Sequence, residues 1–465
     1  MTDAAAASPD TGNPGGHHSQ GTPGGPGGSV SPGSATGAAG AAGSGTPGRW
    51  SAWRVVWWFG FVSLAADMVY EGARSMYGPL LASLGASALV VGLVTGAGEA
   101  MALVLRLVFG PLADRTGRYW GLTIAGYGLT AVCVPLLAVT PFIGGAGLVV
   151  AAVLILLERS GKAVRSPSKS ALLAHVASAV GRGRGFGVHK ALDQVGAFAG
   201  PLLVAAVIAA AGAIWPGMAV LAIPGVAAML LLAVIRSRVP DPSVYDVVEP
   251  GDAAGEPGAA AAEPVPAGRG LRGWFADAVG SGLPREFFGY AFAAGLMTGG
   301  LVTFGIIGYH LTVGGLVPVA TVPVVYAGAM AVEALAALGV GLVYDRRGGA
   351  VLYAVPILVA LVPPLALAGS MWLSLVGVGV WGLAYGVQDS TVKALVAEVV
   401  EAPRRATAYG VFAGVQGAFA IVGGLVAGWL YDRSVPALVV VVAVSQLVAL
   451  ALLARTVRSL HHTPA

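Results

Sequence analysis

The sequence predicts an all-α membrane protein with 12 transmembrane helices in two six-helix, pseudo-symmetric halves. Three observations carry that prediction. Of the 465 residues, 56% are hydrophobic and only 10% are charged, and the mean hydropathy is +0.79, more apolar surface than a soluble chain of this length can hide. Runs of roughly 20 apolar residues recur, the length that crosses a ~30 Å hydrocarbon core as a helix. Short motifs from the first half of the chain return in the second. In lipid every backbone polar group must be satisfied within the chain, and the apolar runs lack the period-two alternation of a β-barrel, so helices remain.

Residues 1–48 are mostly Gly, Pro, Ser and Ala, almost without charge. Such a segment cannot form a core and is expected to be a disordered tail; it lacks the basic start and short apolar stretch of a signal peptide. His17 and His18 within it offer no metal site. The first six-helix bundle is expected over 49–236, with spans near 54–80, 89–113, 120–140, 146–169, 185–212 and 217–236. A Pro-, Gly- and Ala-rich linker follows over 237–286; its "GLRGWFADAVG" piece, with Trp274 and Phe275, reads as a short interfacial helix or a solvated turn. The second bundle is expected over 287–456, with spans near 287–312, 318–343, 350–368, 371–397, 407–430 and 436–455, before a tail at 457–465.

The repeats support this division. "GPLADRTGR" (Gly110 to Arg118) returns as "GLVYDRRGG" (Gly341 to Gly349), each after the second span of its half, and "GFGVHKALDQVGAFAG" is echoed by "AYGVFAGVQGAFAIVGG". Loop arginines, among them Arg49, Arg115, Arg118, Arg182, Arg236, Arg346 and Arg404, gather on one side in this scheme, whereas Arg433 stands in a loop on the other. The positive-inside rule then puts both termini and the linker in the cytoplasm of a plasma-membrane protein. The formal charge of +4 is therefore read as orientation, not as nucleic-acid binding. Cys133, the single cysteine, gives neither a disulfide framework nor a metal site.

Charges inside apolar spans are the candidate functional residues, because an ion at mid-bilayer costs roughly 2.5–3.5 kcal/mol on insertion scales. Asp67, Glu71 and Arg74 are spaced four and three apart, hence on one helix face. Glu99 and Arg106 lie seven apart on the second span. The fourth span carries Glu158, Lys162, Arg165 and Lys169 at spacings of four, three and four, a continuous stripe. Lys169 is expected to snorkel at its end. His189 and Asp193 are four apart on the fifth span. The second half holds fewer: His310, Glu333, Asp389 and Lys393, with Gln388 and Gln416. Asp67, Glu71 and Glu158, then Asp193 and Glu99, are the proton-carrying candidates. Arg74, Arg106, Arg159, Lys162, Arg165, His189, Glu333, Asp389 and Gln416 are the cavity candidates.

"GPLADRTGR" resembles the signature loop between helices 2 and 3 of the major facilitator superfamily. Gly110, Leu112, Ala113, Asp114, Arg115, Gly117 and Arg118 match it, and Tyr119 replaces the final basic residue. The resemblance implies a conformational latch at Gly110, Asp114, Arg115, Gly117 and Arg118, with a degenerate copy at Asp345 and Arg346. The fifth span, with Gly187, Gly196, Gly200 and Pro201, is similar to the antiporter motif of drug–proton exporters, although Val204 and Ala205 stand where its closing glycines belong. Arg159 can be matched to the exporters' fourth-helix motif, but Ala163 replaces its glycine. The "DMVYEGARS" helix resembles a bacterial and archaeal branch of the superfamily.

The expected function is secondary transport by alternating access: proton-coupled export of a small molecule or drug by a monomer in the lipid bilayer. Trp57, Trp58, Phe59, Tyr70, Tyr77, Trp381 and Tyr385 supply aromatic surface for such a substrate. One alternative is transport of a small anion on the basic stripe, with Arg106, Lys162 and Arg165 as binding charges. Another is a non-transporting receptor or scaffold, which the preserved Asp114 motif argues against. No enzyme activity and no cofactor are expected: the chain has no G-x-x-x-x-G-K-[ST] loop and no cluster with metal-ligand spacing.

Overall fold

The computed structural model describes residues 50–246, 283–400 and 404–462. The expected tail at 1–48 and the Trp274/Phe275 piece lie outside them, as do the residues of the linker between 247 and 282. Among the described residues there is no strand. The helices are α1 (Ala52–Arg74), α2 (Tyr77–Ser83), α3 (Ala88–Thr116), α4 (Tyr119–Leu136), α5 (Gly147–Ser178), α6 (Arg182–Ala211), α7 (Ile214–Ala219) and α8 (Ala222–Arg238). After the linker come α9 (Arg285–Gly300), α10 (Phe304–Val313), α11 (Val322–Arg347), α12 (Ala354–Ala366), α13 (Met371–Val399), α14 (Arg405–Arg433) and α15 (Val435–His462). Residues 457–462, read as tail, thus continue the last helix.

Among the described residues ten helical segments are long and apolar enough to cross a membrane, which makes this a multi-pass membrane protein. Two expected spans fall outside that set for different reasons. Helix α5 is long, 32 residues, but Glu158, Arg159, Lys162, Arg165 and Lys169 interrupt its apolar run. The expected 350–368 span is a 3-10 turn, Gly348–Tyr353, followed by the 13-residue α12.

Three expected spans are broken helices. Between α1 and α2 the Ser75 hydroxyl donates to the Gly72 carbonyl at 2.6 Å, a local bond that competes with the helix ladder. Pro79, just inside α2, has no N–H to give. Between α9 and α10 the Val302 carbonyl leaves the ladder and accepts from the Trp381 indole at 2.8 Å, so the freed group remains satisfied inside the protein. The third break, at Val220–Leu221, separates α7 from α8.

Within the first half α1 packs on α6 and α8, and α5 packs on α3 and α4. Within the second, α9 packs on α14 and α15, and α13 on α11 and α12. Among the helix pairs that cross between halves are α3 with α14, α6 with α11, α2 with α10 and α3 with α10. The α3–α14 seam needs glycine. A Cβ at Gly92 would come within 2.1 Å of the Gly424 carbonyl oxygen, and one at Gly428 within 2.3 Å of the Ala88 carbonyl oxygen, so the backbones touch. Asp432, at the end of α14, caps α3 across this seam, accepting from the amides of Ala88 at 3.2 Å and Leu89 at 3.1 Å. The seam occupies the first half of α3 and the last half of α14, the end of the molecule away from the start of α1. Toward the other end a Cβ at Gly410 or Gly414 on α14 would meet nothing within 4 Å.

The first residues of the linker are docked. Tyr245 donates to the Trp50 carbonyl at 2.7 Å, Trp120 to the Pro240 carbonyl at 3.0 Å, and Asp246 meets His175 at 2.9 Å. The ends of α1, α4 and α5 are thereby tied together.

Candidate functional site: a central cavity over a buried ion network

On the open side of the seam lies a cavity of about 330 Å³ whose walls come from both halves. A smaller one of about 130 Å³ adjoins it, and Glu99, Leu103, Tyr385 and Asp389 line both. Asp67, Glu71, Glu99, Arg106, Lys162, Arg165, Asp193, Glu333 and Asp389 line the larger; Arg74 and Gln416 line the smaller. Glu158, Arg159 and His189 line neither and are buried behind the wall.

Beneath the cavity the charges form one network. Arg74 donates to Glu99 at 2.8 Å and sits 3.6 Å from Glu71. Arg159 lies 3.6 Å from Glu99 and 3.7 Å from Glu158, donates to the Tyr70 hydroxyl, and stacks its guanidinium over the Tyr70 and Tyr77 rings. Glu158 is fully buried; it accepts from Tyr77 at 3.3 Å, and its other oxygen has no hydrogen-bond partner. Glu71 accepts from Tyr326 of the second half, and Arg74 reaches Tyr385 at 3.5 Å. Carboxylates and guanidiniums taken out of water are tolerable only in such mutual pairing.

A second cluster is centred on Ser63. Its hydroxyl accepts from Lys169 at 2.9 Å and is hydrogen-bonded to His189 at 3.1 Å. Lys169 does not snorkel: α5 runs nine residues beyond it, which keeps it inside the bundle. Asp193 lies 3.8 Å from His189, and Arg165 is held between Asp67 at 3.8 Å and Thr130 at 2.5 Å. Sequence reasoning missed Ser63, though it stands four residues before Asp67 on the same face. It also missed Tyr326 and Thr130, for which no charge or motif gave a signal. Lys162 has no carboxylate partner among the described residues and rests on the Tyr70 ring, 3.5 Å from its centroid. His310 is fully engaged, with Tyr431 at 2.8 Å and the Ala368 carbonyl at 3.0 Å. The side chains of Lys393 and Asp345 lie outside the described residues, and no cluster of His, Cys, Asp or Glu among those residues could hold a metal ion.

A family model for the Major Facilitator Superfamily matches residues 59–362. The chain belongs to the major facilitator superfamily. It is 50% identical over 406 residues to an uncharacterized protein of Mycobacterium tuberculosis, a match spanning 87% of this chain and 93% of that one. It is 28% identical over 148 residues to an uncharacterized MFS-type transporter of Methanocaldococcus jannaschii, 32% of this chain and 36% of that one. Among solved structures it superposes on the nucleoside transporter NupG with a TM-score of 0.61 at 14% identity, covering 88% of this chain and 100% of that one. A POT family transporter in complex with 5-aminolevulinic acid gives 0.66 at 12% identity, covering 87% and 96%; at such identities the likeness is one of fold. As a member of the superfamily the protein is a membrane transporter of small molecules and not an enzyme.

The superfamily's loop motif is exposed in this structure. Gly117 ends α3 in the left-handed region at φ 61°, which glycine enters without steric cost. Among the described residues Asp114 pairs with neither Arg115 nor Arg118 and accepts instead from Tyr119, at 3.1 Å, the residue that replaces the motif's final base. Arg346, in the second copy, is exposed, and Gly110 has only Pro167 within 4 Å of a built Cβ. In the α6 motif, Cβ atoms at Gly196 and Gly200 would lie 2.3 Å and 2.2 Å from the Leu64 and Met68 carbonyl oxygens, whereas Gly187 faces open space. Those two glycines, with Pro201 following, seat α6 directly on the α1 turn that carries Asp67.

Proposed function

We propose that the protein is a proton-coupled secondary transporter that works by alternating access and exports a small molecule. In this reading 12 spans form two six-helix halves, a monomer sits in the plasma membrane with both termini cytoplasmic, and the conformer is inward-facing. One observation carries the coupling. Glu71, Arg74, Glu99, Arg159 and Glu158 form a continuous buried network, and that network crosses to the second half through Tyr326 and Tyr385. A proton arriving on one of its acids changes both the charge balance of the network and the contacts that hold the halves together. A ligand shifts a conformational equilibrium only through such differential contacts. Export rests on the likeness of Gly196, Gly200 and Pro201 to the antiporter motif.

A second reading, anion transport, is favoured by Arg106, Lys162 and Lys169, which have no carboxylate partner among the described residues. Proteoliposomes with an imposed pH gradient, assayed against a panel of amines, carboxylates and amino-acid zwitterions, separate the readings. Gradient-driven movement is expected in the wild type and lost in Asp67→Asn and Glu71→Gln, with melting temperatures in detergent kept. Unchanged pH-dependent transport in both variants would sink proton coupling through these acids. Gradient-independent carboxylate movement, lost in Lys162→Met, would favour the anion reading.

A further inference from the structure

The two walls of the central cavity differ in hydrogen-bonding character. On the first-half wall the acids Asp67, Glu71, Glu99 and Asp193 each stand beside a base, namely Arg165, Arg74, Arg74 with Arg159, and His189, whereas Arg106, Lys162, Lys169 and Lys190 have no carboxylate partner among the described residues. The Arg106 Nε is buried with no hydrogen bond at all. These groups are donors only. The second-half wall brings Glu333 on α11 and Asp389 on α13, and no base among its described lining residues. Glu333 makes no hydrogen bond or salt bridge there. Beside them Gln388 and Gln416 both donate to the Thr298 hydroxyl, at 2.9 Å and 3.0 Å. Both amide groups are thus turned so that their N–H₂ ends are engaged, and the Gln388 carbonyl oxygen is buried without a partner. The second wall therefore offers acceptors. Next to it the Trp381 and Tyr385 rings stack, 5.2 Å between centroids at 17°.

We propose that the cavity takes an amphipathic zwitterion. Its acidic group lies against Arg106, Lys162 and Lys169, its ammonium among Glu333, Asp389 and the Gln388 carbonyl, and its apolar body on the Trp381–Tyr385 face. An ammonium has three donors and no acceptor, and a carboxylate has acceptors only, so the ammonium matches the acceptors of the second wall and the carboxylate matches the bases of the first that no acid compensates. A ligand of one sign would leave desolvated and unpaired either the bases of the first wall or Glu333 and the Gln388 carbonyl of the second, the situation that specificity by repulsion exploits. The two adjoining volumes, about 330 Å³ and about 130 Å³ on the Trp381 and Gln388 side, stand toward the low end of the roughly 300–1,000 Å³ typical of ligand pockets, which sets the size at an amino-acid derivative or a small peptide. The inference deepens the transporter reading and rests on its central cavity being the substrate site.

The test uses the full-length protein in detergent and three probes of one shape: 4-(aminomethyl)benzoate, 4-methylbenzoate and 4-methylbenzylamine. Titration calorimetry should show the zwitterion binding at least about tenfold tighter than either analogue, as the loss of one charge-assisted contact set implies. Glu333→Gln and Asp389→Asn, each taken separately, should erase its advantage over 4-methylbenzoate, and Lys162→Met its advantage over 4-methylbenzylamine. Equal binding of either one-signed analogue to the wild type overturns the proposal. So does absence of zwitterion binding, or a preference unchanged in well-folded Glu333→Gln and Asp389→Asn proteins. No gradient is present, so the outcome is independent of coupling. Zwitterion binding without proton-driven movement in liposomes removes the coupling alone, and proton-driven movement of a one-signed compound removes the zwitterion alone.

Discussion

Arg159 is the residue on which the buried network depends most. It is 1% exposed, sits against the fully buried Glu158, and touches Glu99, Tyr70 and Tyr77. Its replacement by Met leaves Glu158 charged without its basic partner, held only by the Tyr77 hydroxyl, and breaking a buried pair from one side costs about 3–5 kcal/mol. A clear fall in detergent melting temperature is expected for Arg159→Met, with most of it recovered in Arg159→Met/Glu158→Gln, where no stranded ion remains. Lys162→Met is the contrast: it gives up one cation–π contact, about 0.5–2 kcal/mol, and should melt near the wild type. If the two single variants fall equally, burial of the pair is not what sets the cost. The sequence carried part of this site. The spacing of Glu158, Lys162, Arg165 and Lys169 already placed them on one face, because helical period depends on neighbours alone. Their partners were not legible, since Arg159 meets Glu99 and Glu71 meets Tyr326 across sequence separations of 60 and 255 that only the packed fold closes.

At the scale of helices, the device that closes one end is the cap that Asp432 places on α3. It supplements, from the other half of the protein, the N-cap that Ser87 gives α3 through the Val90 amide, so under alternating access its loss acts on the equilibrium between conformers. Removing a cap costs about 0.5–2 kcal/mol, and Asp432 is exposed, which argues for the lower part of that range and a several-fold change in population. With Cys133 replaced, nitroxides at Ser83 and Val313, both exposed at that end, should report a longer distance in Asp432→Ala. Asp432→Asn, which keeps an acceptor oxygen for only one of the two amides, should widen less than Asp432→Ala; equal widening in both would point to charge instead of capping. Opposite Asp432 on the same helix pair stands Asp114, exposed and bonded to Tyr119, while α14 begins without a side-chain cap. The loop motif that holds Asp114 was readable because its glycines and charges are contiguous. The Asp432 cap was not, for a lone Asp at a helix end has no local pattern that tells which helix it serves. The breaks at Ser75 and at Leu301–Thr303 were hidden for a related reason: an apolar run reads as one span whether or not a distant indole, here that of Trp381, donates to a carbonyl that has left the ladder.

Across the whole molecule the closed seam has an outer and an inner set of contacts. The outer set is the glycine seam with Asp432. The inner set is Thr95 with Thr303 at 2.8 Å, Tyr326 with Glu71, and Arg74 with Tyr385. The Tyr326 and Tyr385 contacts belong to the ion network; the Thr95–Thr303 bond and the outer contacts do not. If the halves move as rigid bodies, the two sets close the same interface and must favour the same conformer. Tyr326→Phe removes one hydrogen bond to a charged group, about 1.5–3 kcal/mol, without changing the shape of α11. The distance between Ser83 and Val313 labels should therefore lengthen in Tyr326→Phe as it does in Asp432→Ala. Because the two sites share no partner, their free energies should add in the double variant to within about 0.5 kcal/mol. Glu71→Gln combined with Tyr326→Phe should be strongly non-additive, since both act on a single bond. A Tyr326→Phe protein with the wild-type distance would mean that the inner contacts report only the cavity's shape, and that the ion network has no mechanical hold on the seam.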